Sequence, residues 1–221
     1  MLSVIITAGG VGKRMGATLP KQFLLLHGKP ILMHTIESFH RFDSTAELLV
    51  TLPEEQIHVW KELCALHGFV VPHQLVAGGE ERFHSIQHAL KLVTGEIVAV
   101  HDGVRPLIDH TLIKRLIEAS QIHQAVVPVV PIKESLRQMI DGESKAVVRS
   151  DFVTVQTPQL FHRDVLIASY QQSYQRNFTD DASVVEAMGK KIETVVGSES
   201  NIKITQPIDL QMAEYLFQHK S

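Results

Sequence analysis

Cysteine is almost missing from this chain: Cys64 is the single one in 221 residues, so no internal disulfide and no cysteine-built zinc site is available. Placed between Leu63 and Leu66 in a helical stretch, it reads as a small core residue and suits a reducing cytoplasm. Long apolar runs are missing too. None approaches about 18 residues, so no membrane span and no membrane partner is expected. The first residues enter a strand with no charged leader or small-residue cleavage site, so no signal peptide is expected. A strong net charge is also lacking. At −3 the chain has no global attraction to nucleic acid, and an anionic ligand has to be held by a local basic site. Hydrophobic residues at 44% and charged ones at 20% leave an ordinary globular balance, enough for one sizeable α/β core or a core with an appendage. Histidines, thirteen of them, are the one excess, yet none forms H-E-x-x-H, and His84 and His88 at helical spacing lack a third ligand nearby.

What is present begins at the N-terminus. Residues 2–8 read as a buried strand, followed by Gly9-Gly10-Val11-Gly12-Lys13-Arg14-Met15-Gly16 and then Pro20-Lys21-Gln22. Glycines let backbone N–H groups approach an anion closely, and Lys13, Arg14 and Lys21 add charge for a phosphate chain. Two better-known glycine loops fail the test. A P-loop ending at Gly12-Lys13 meets Thr7 where its first glycine belongs and Arg14 where its metal-binding hydroxyl belongs. A dinucleotide fingerprint starting at Gly10 meets Met15 at its last glycine, and Leu52-Pro53 replaces the acidic residue a nicotinamide enzyme would carry after its second strand. By itself a glycine-rich turn after a first strand is more often only a tight turn, but three nearby cations and a rigid Pro20 make this run a candidate place for a nucleoside triphosphate.

Strands and helices alternate through the first 130 residues. The patterns predict strands over 2–7, 47–52, 69–76, 96–100 and 125–130, and helices over 30–41, 54–67 and 82–93. A further helix, capped by Asp109 or Thr111, runs to about Ser120. This rhythm implies α/β architecture, a mostly parallel sheet with helices on both faces. The Gly9 loop, Gly78-Gly79 and His101-Asp102 all follow strand ends, so they are expected to converge at one edge. The rhythm breaks over 132–155, where runs at 133–140 and 146–153 flank Asp141-Gly142 as a hairpin would. A two-stranded arm is marginal in water, and a second copy of the chain is the simplest surface for it to pack on. Helices over 162–174, 180–189 and 206–218 and a strand over 192–196 complete one domain, 1–221, with 132–155 as its arm.

Six segments carry a family resemblance. They are Ala8-Gly-Gly-Val-Gly-Lys-Arg-Met15; Pro20-Lys-Gln22; Gly78-Gly-Glu-Glu-Arg82 with Ser85; His101-Asp-Gly-Val-Arg-Pro106; Thr157-Pro-Gln159 with Thr179-Asp-Asp-Ala-Ser183; and Asn201-Ile-Lys-Ile-Thr205. In this order the chain resembles the 2-C-methyl-D-erythritol 4-phosphate cytidylyltransferases of the non-mevalonate isoprenoid pathway, from Ser3 to the last helix. The resemblance implies a single Rossmann-like nucleotidyltransferase domain that makes a cytidine diphosphate alcohol from CTP and a sugar-alcohol phosphate, with Mg²⁺, as a homodimer. It implies Ala8, Gly9, Gly10 and Gly12 around the triphosphate, Arg14, Lys21 and Lys203 as catalytic cations, and Asp102 beside the nucleotide and the metal, direct or through water. Gly78, Gly79 and Ser85 would read cytosine, and Lys13 would be surface or auxiliary. Arg105 would bind substrate phosphate or orient Asp102. Ser135 and Arg149 on the arm would hold the second substrate across the dimer interface, with Thr179 nearby or capping its helix.

Three departures accompany it. Glu80 stands where the family often has Asp, Thr7-Ala8-Gly9-Gly10 replaces an Ala-Ala-Gly loop followed by a bulkier residue, and Gly103-Val104 replaces Ala-Ala. Ribitol-5-phosphate cytidylyltransferases share several of these motifs and form the nearest alternative, though Thr179–Ser183 and the compact length favour the erythritol enzyme. A catalytically silent nucleotide-binding module would have lost Arg14, Lys21, Asp102 or Lys203, and all four are here.

Overall fold

Along β1 (Leu2–Thr7), Val4 and Ile6 enter one hydrophobic core while Ile5, between them, enters another. A strand buried on both faces is what a sheet sandwiched by helices demands. The computed structural model describes residues 1–10 and 19–219. After β1 come a small hairpin of β2 (Leu25–Leu26) and β3 (Lys29–Pro30), then α1 (Ile31–Phe42) and β4 (Glu47–Leu52). Next are α2 (Glu54–Leu66), β5 (Gln74–Ala77), α3 (Arg82–Leu90), β6 (Ile97–Asp102), α4 (His110–Ser120) and β7 (Ala125–Pro131). A second hairpin, β8 (Arg137–Ile140) and β9 (Glu143–Ala146), precedes β10 (Val153–Val155) and β11 (Gln159–His162). The chain closes with α5 (Arg163–Ser169), α6 (Asp181–Glu186), β12 (Glu193–Val196) and α7 (Pro207–Gln218).

The main sheet runs β12, β7, β11, β6, β1, β4, β5, and β10 extends the edge of β7 that β11 begins. β1 pairs in parallel with β4 and β6, and β4 with β5. Helices α1, α2 and α4 bury Leu32, Ile36, Trp60 and Leu116 on one face, whereas α3, α5 and α6 bury Ile86, Leu166 and Val185 on the other. Asp109 caps α4 by accepting from the Leu112 N–H at 2.7 Å. The three-layer α/β prediction therefore holds, mostly parallel sheet included.

Three stretches differ from their sequence-based expectation. Residues 69–73 wrap α2 instead of joining the sheet: Phe69 N–H closes the helix on the Cys64 carbonyl at 2.8 Å, and Trp60 Nε1 donates to His73 Nε2 at 2.9 Å. The helix expected over 162–174 is shorter and is preceded by β11, which runs antiparallel between β6 and β7. In the arm, Asp141 and Gly142 both take positive φ, as a tight Asp-Gly turn needs, and β8 and β9 pair with each other, all eight residues exposed. The arm's second strand, expected over 146–153, forms instead over Glu143–Ala146, and Val153–Val155 pairs antiparallel with β7.

Candidate active site

The ends of β1, β4, β5 and β6 open on one edge of the sheet and line a cleft of about 290 Å³. Ala8 N–H donates to the Thr51 carbonyl at 3.0 Å, which ties the first glycine turn to β4. Gln22 is fully buried, and its Nε2 donates to the Ala8 carbonyl at 2.7 Å and to Gln56 Oε1 at 2.8 Å. That clamp seats the neighbouring Lys21 against the turn. A Cβ on Gly10 would lie 3.0 Å from Lys21 Cε, so the absence of a side chain there makes room for the lysine.

The second glycine pair is organised by one hydroxyl. Ser85 Oγ accepts from Gly79 N–H at 3.0 Å and donates to the Glu81 carbonyl at 3.2 Å, while Gly78 N–H reaches the Leu52 carbonyl at 2.7 Å. A Cβ on Gly79 would stand 2.4 Å from His84 Cβ, so no larger residue fits without moving α3.

At the end of β6 lies the electrostatic centre. Asp102 Oδ2 receives Arg105 Nε at 3.0 Å and Lys203 Nζ at 3.1 Å, with Arg82 Nε 4.0 Å from Oδ1. Burial alone would raise the Asp102 pKa, but Arg82, Lys203 and Arg105 outweigh it and hold the carboxyl well below its usual range. Antiparallel β11 explains the rest, because its approach sets Thr157 against β6. Thr157 Oγ1 accepts from Asp102 N–H at 3.0 Å and lies 3.1 Å from His101 Nδ1, while His101 Nε2 lies 3.1 Å from the Arg105 carbonyl. One assignment satisfies every atom: Thr157 donates to Nδ1, and Nε2–H donates to Arg105, so the imidazole is neutral. Burial agrees, pushing the His101 pKa down to about 4.

Lys203 is aimed by its neighbours. Asn201 is buried, gives its Nδ2 to the Thr157 carbonyl at 2.7 Å, and accepts Arg105 Nη1 on its own carbonyl at 2.8 Å. Ile204 N–H then meets the Val104 carbonyl at 2.9 Å, which docks the segment along the loop after β6. A second cleft of about 270 Å³ begins there and shares Arg82, Asp102 and Lys203 with the first.

The sequence candidates sort cleanly. Ala8, Gly9, Gly10, Lys21, Gly78, Gly79, Ser85, Asp102 and Lys203 all line the first cleft. Arg105 and Thr179 line the second, and of the two roles open to Arg105 the geometry displays the pairing with Asp102. Gly12, Lys13 and Arg14 lie outside the described residues. Ser135 and Arg149 line neither of these clefts, and Arg149 Nη1 donates to the Lys133 carbonyl instead. Asp180, not Thr179, caps α6, in a reciprocal box with Ser183. Among the described residues no three His, Cys, Asp or Glu side chains gather as a metal cage, and His88 Nδ1 lies 2.9 Å from the Ala77 carbonyl.

Arg82 and Asp181 enter the sequence patterns only as members of the Gly78–Arg82 and Thr179–Ser183 segments, with no role of their own. Arg82 binds Asp181 through two parallel bonds of 2.8 and 2.7 Å. The two residues are distant in sequence, and no local spacing connects them.

Comparison with known proteins agrees with this geometry. The family model described as "IspD: 2-C-methyl-D-erythritol 4-phosphate cytidylyltransferase" matches residues 2–219. The 2-C-methyl-D-erythritol 4-phosphate cytidylyltransferase of Bacteroides fragilis is 47% identical over 215 residues, covering 97% of this chain and 98% of that protein. The crystal structure of the Thermus thermophilus 2-C-methyl-D-erythritol 4-phosphate cytidylyltransferase superposes with a TM-score of 0.77 at 31% identity, over 98% of both chains. The bifunctional IspDF from Campylobacter jejuni gives a TM-score of 0.82 at 29% identity, over 95% of this chain and 53% of that longer one. A match that runs from the first strand to the last helix, on residues that the fold brings to one edge, places this chain in the 2-C-methyl-D-erythritol 4-phosphate cytidylyltransferase family.

Proposed function

We propose that the protein transfers the cytidylyl group of CTP to 2-C-methyl-D-erythritol 4-phosphate, giving 4-diphosphocytidyl-2-C-methyl-D-erythritol and pyrophosphate for isoprenoid precursor synthesis. The observation that carries this reading is the meeting of two clefts at Asp102 and Lys203. Cytosine lies at the Gly78–Ser85 loop, where main-chain groups come close. The triphosphate follows Gly9 and Gly10 past Lys21, and the alcohol phosphate fills the second cleft beside Thr179. A phosphate oxygen of the acceptor attacks the α-phosphorus. The bond from that phosphorus to the bridging oxygen of the β-phosphate breaks, and pyrophosphate leaves with the electron pair. The attacking oxygen is already ionised near neutrality, so positioning and positive charge carry the catalysis and no general base is needed.

Lys21 and Lys203 supply that charge within the described residues, and Arg14 joins them by resemblance. His101, neutral and buried, has the supporting task of fixing the loop that carries Asp102 and Arg105. The donor set fits Mg²⁺ that arrives on the nucleotide. Asp102 Oδ2 is taken by two cations, which leaves Oδ1 as the protein oxygen for an ion whose other ligands are phosphate and water. When bound, Mg²⁺ supplies charge that offsets the triphosphate.

We also propose that the arm acts in a homodimer. Met139, Ile140, Val148, Phe152, Val153 and Val155 are exposed apolar side chains of the arm, and their number makes it a patch that favours a partner. A second copy covering that patch would bring Ser135 and Arg149 to the partner's acceptor cleft. No described helix is long and apolar enough to cross a membrane. The one thiol, Cys64, is half-buried with its pKa pushed up to about 11 by burial. An unreactive free thiol fits a reducing compartment, and we place the enzyme in the cytoplasm. Pyrophosphate release from CTP and Mg²⁺ tests the assignment. Turnover with 2-C-methyl-D-erythritol 4-phosphate and little with D-ribitol 5-phosphate is expected; the reverse preference would overturn the substrate.

A further inference from the structure

The residue that both clefts share besides Asp102 and Lys203 is Arg82, in the first turn of α3. Its surroundings are unusual for a surface arginine. Both Nη groups are engaged by Asp181, which is wholly buried in the first turn of α6. Asp181 Oδ1 also accepts the Tyr170 hydroxyl at 2.6 Å, and Tyr170 itself is 2% exposed. A carboxylate without water needs its partners, so this pair fixes the guanidinium in one orientation. One third of the arginine side chain nevertheless remains exposed, and its Nε lies 4.0 Å from Asp102 Oδ1. A tie between two helices would be complete with the whole guanidinium turned inward; here an edge is left at the point where the two substrates have to meet.

We propose that Arg82 is a further substrate-contacting residue, donating its outward N–H groups to the phosphate oxygens at the seam of the two clefts, and that Asp181 and Tyr170 are positioning residues that hold it there. The proposal rests on the cytidylyl-transfer reading and goes beyond it. Chemistry favours the arrangement. Arginine offers five donors in a fixed plane, of which Asp181 uses two, so N–H groups remain for phosphate. Because Asp181 balances its charge, Arg82 supplies oriented hydrogen bonds without adding to the repulsion among Lys203, Arg105 and Lys21. Tyr170, its pKa driven well above the ordinary phenol value by burial and then by Asp181, stays a donor throughout the working range.

Pyrophosphate release by the full-length protein separates this role from a purely structural one. Arg82→Lys keeps the charge and loses the planar fork, and is expected to lower kcat about 100-fold while CTP KM changes less than about threefold. Tyr170→Phe removes one hydroxyl from the relay and is expected to lower kcat about fivefold. In the double variant the Tyr170→Phe effect is expected to vanish, since the hydroxyl acts through Arg82. Undiminished kcat in Arg82→Lys overturns the proposal, as does a Tyr170→Phe effect of equal size in both backgrounds. Loss of melting temperature with kcat intact would assign the relay to helix packing and also overturn it. A wild type inactive with both alcohol phosphates would instead overturn the cytidylyl-transfer reading, and this proposal with it.

Discussion

Asp102 and Arg149 sit in opposite environments. Asp102 is 6% exposed at the end of a central strand, with Arg105 and Lys203 in contact and Arg82 close by. Arg149 stands exposed in a three-residue turn of the arm, and its Nη1 donates to the backbone carbonyl of Lys133 in the same arm. The difference teaches where the fold has finished its work. Around Asp102 the rigid sheet edge pre-orients every partner, which is what stabilising charge in a transition state requires. Around Arg149 the chain supplies a cation and exposed apolar side chains, neither of the two clefts at the sheet edge includes Arg149, and a second copy is what we propose completes it.

Breaking the sheet-edge half should have the largest effect. Lys21→Ala is expected to lower kcat roughly 1000-fold with little change in CTP KM, because the charge counts most as the α-phosphate changes hands. A loss confined to KM, read from steady-state kinetics, would remove Lys21 from that role.

The next test follows from buried His101. Its folded-state pKa of about 4 lies below the ordinary 6.5, so the unfolded chain takes up the proton first as pH falls. Stability from this group is full above about pH 6.5 and lost on going down to about pH 4, by about 3 kcal/mol in all. Buried His34, also lowered by burial, acts in the same direction, and the depressed Asp102 continues the loss in more acid solution. Urea titrations at several pH values should show this slope, and His101→Asn should flatten it.

Two glycines sharpen the contrast at smaller scale. Gly79→Ala puts a methyl group into His84 and is expected to raise CTP KM about tenfold by displacing the loop that we propose reads the base. Gly142→Ala meets open space but a positive φ, so it should cost the hairpin about 1 kcal/mol and leave CTP KM unchanged. Equal effects on CTP binding would erase the distinction between the two regions.

Legibility in the sequence follows the same division. The continuous apolar run of β1, the strand-end glycines and the Asp-Gly turn are local patterns, and the structure bears each of them out. No strand is expected from the sequence at Gln159–His162, since four residues are too few to show a period, and a helix is expected from residue 162 where β11 ends. Residues 69–73 looked like a strand because Phe69 and Val71 are apolar, yet they pack beside Trp60 on α2. The Arg82–Asp181 pair spans 99 positions and arises only when α3 and α6 settle on the same sheet face. Local chemistry was legible; pairings created by the fold were not.

The most direct test of the central comparison mixes two defective subunits. Lys21→Ala breaks the sheet-edge half, and Arg149→Ala is expected to raise KM for the alcohol phosphate about tenfold or more while sparing CTP. With acceptor held below its wild-type KM, each variant alone is poorly active. If the arm completes the neighbour's cleft, hybrid dimers contain one site with both residues intact, and activity returns on mixing. Absence of recovery, with hybrids shown to form, would contradict the account and place both halves of the site within one chain.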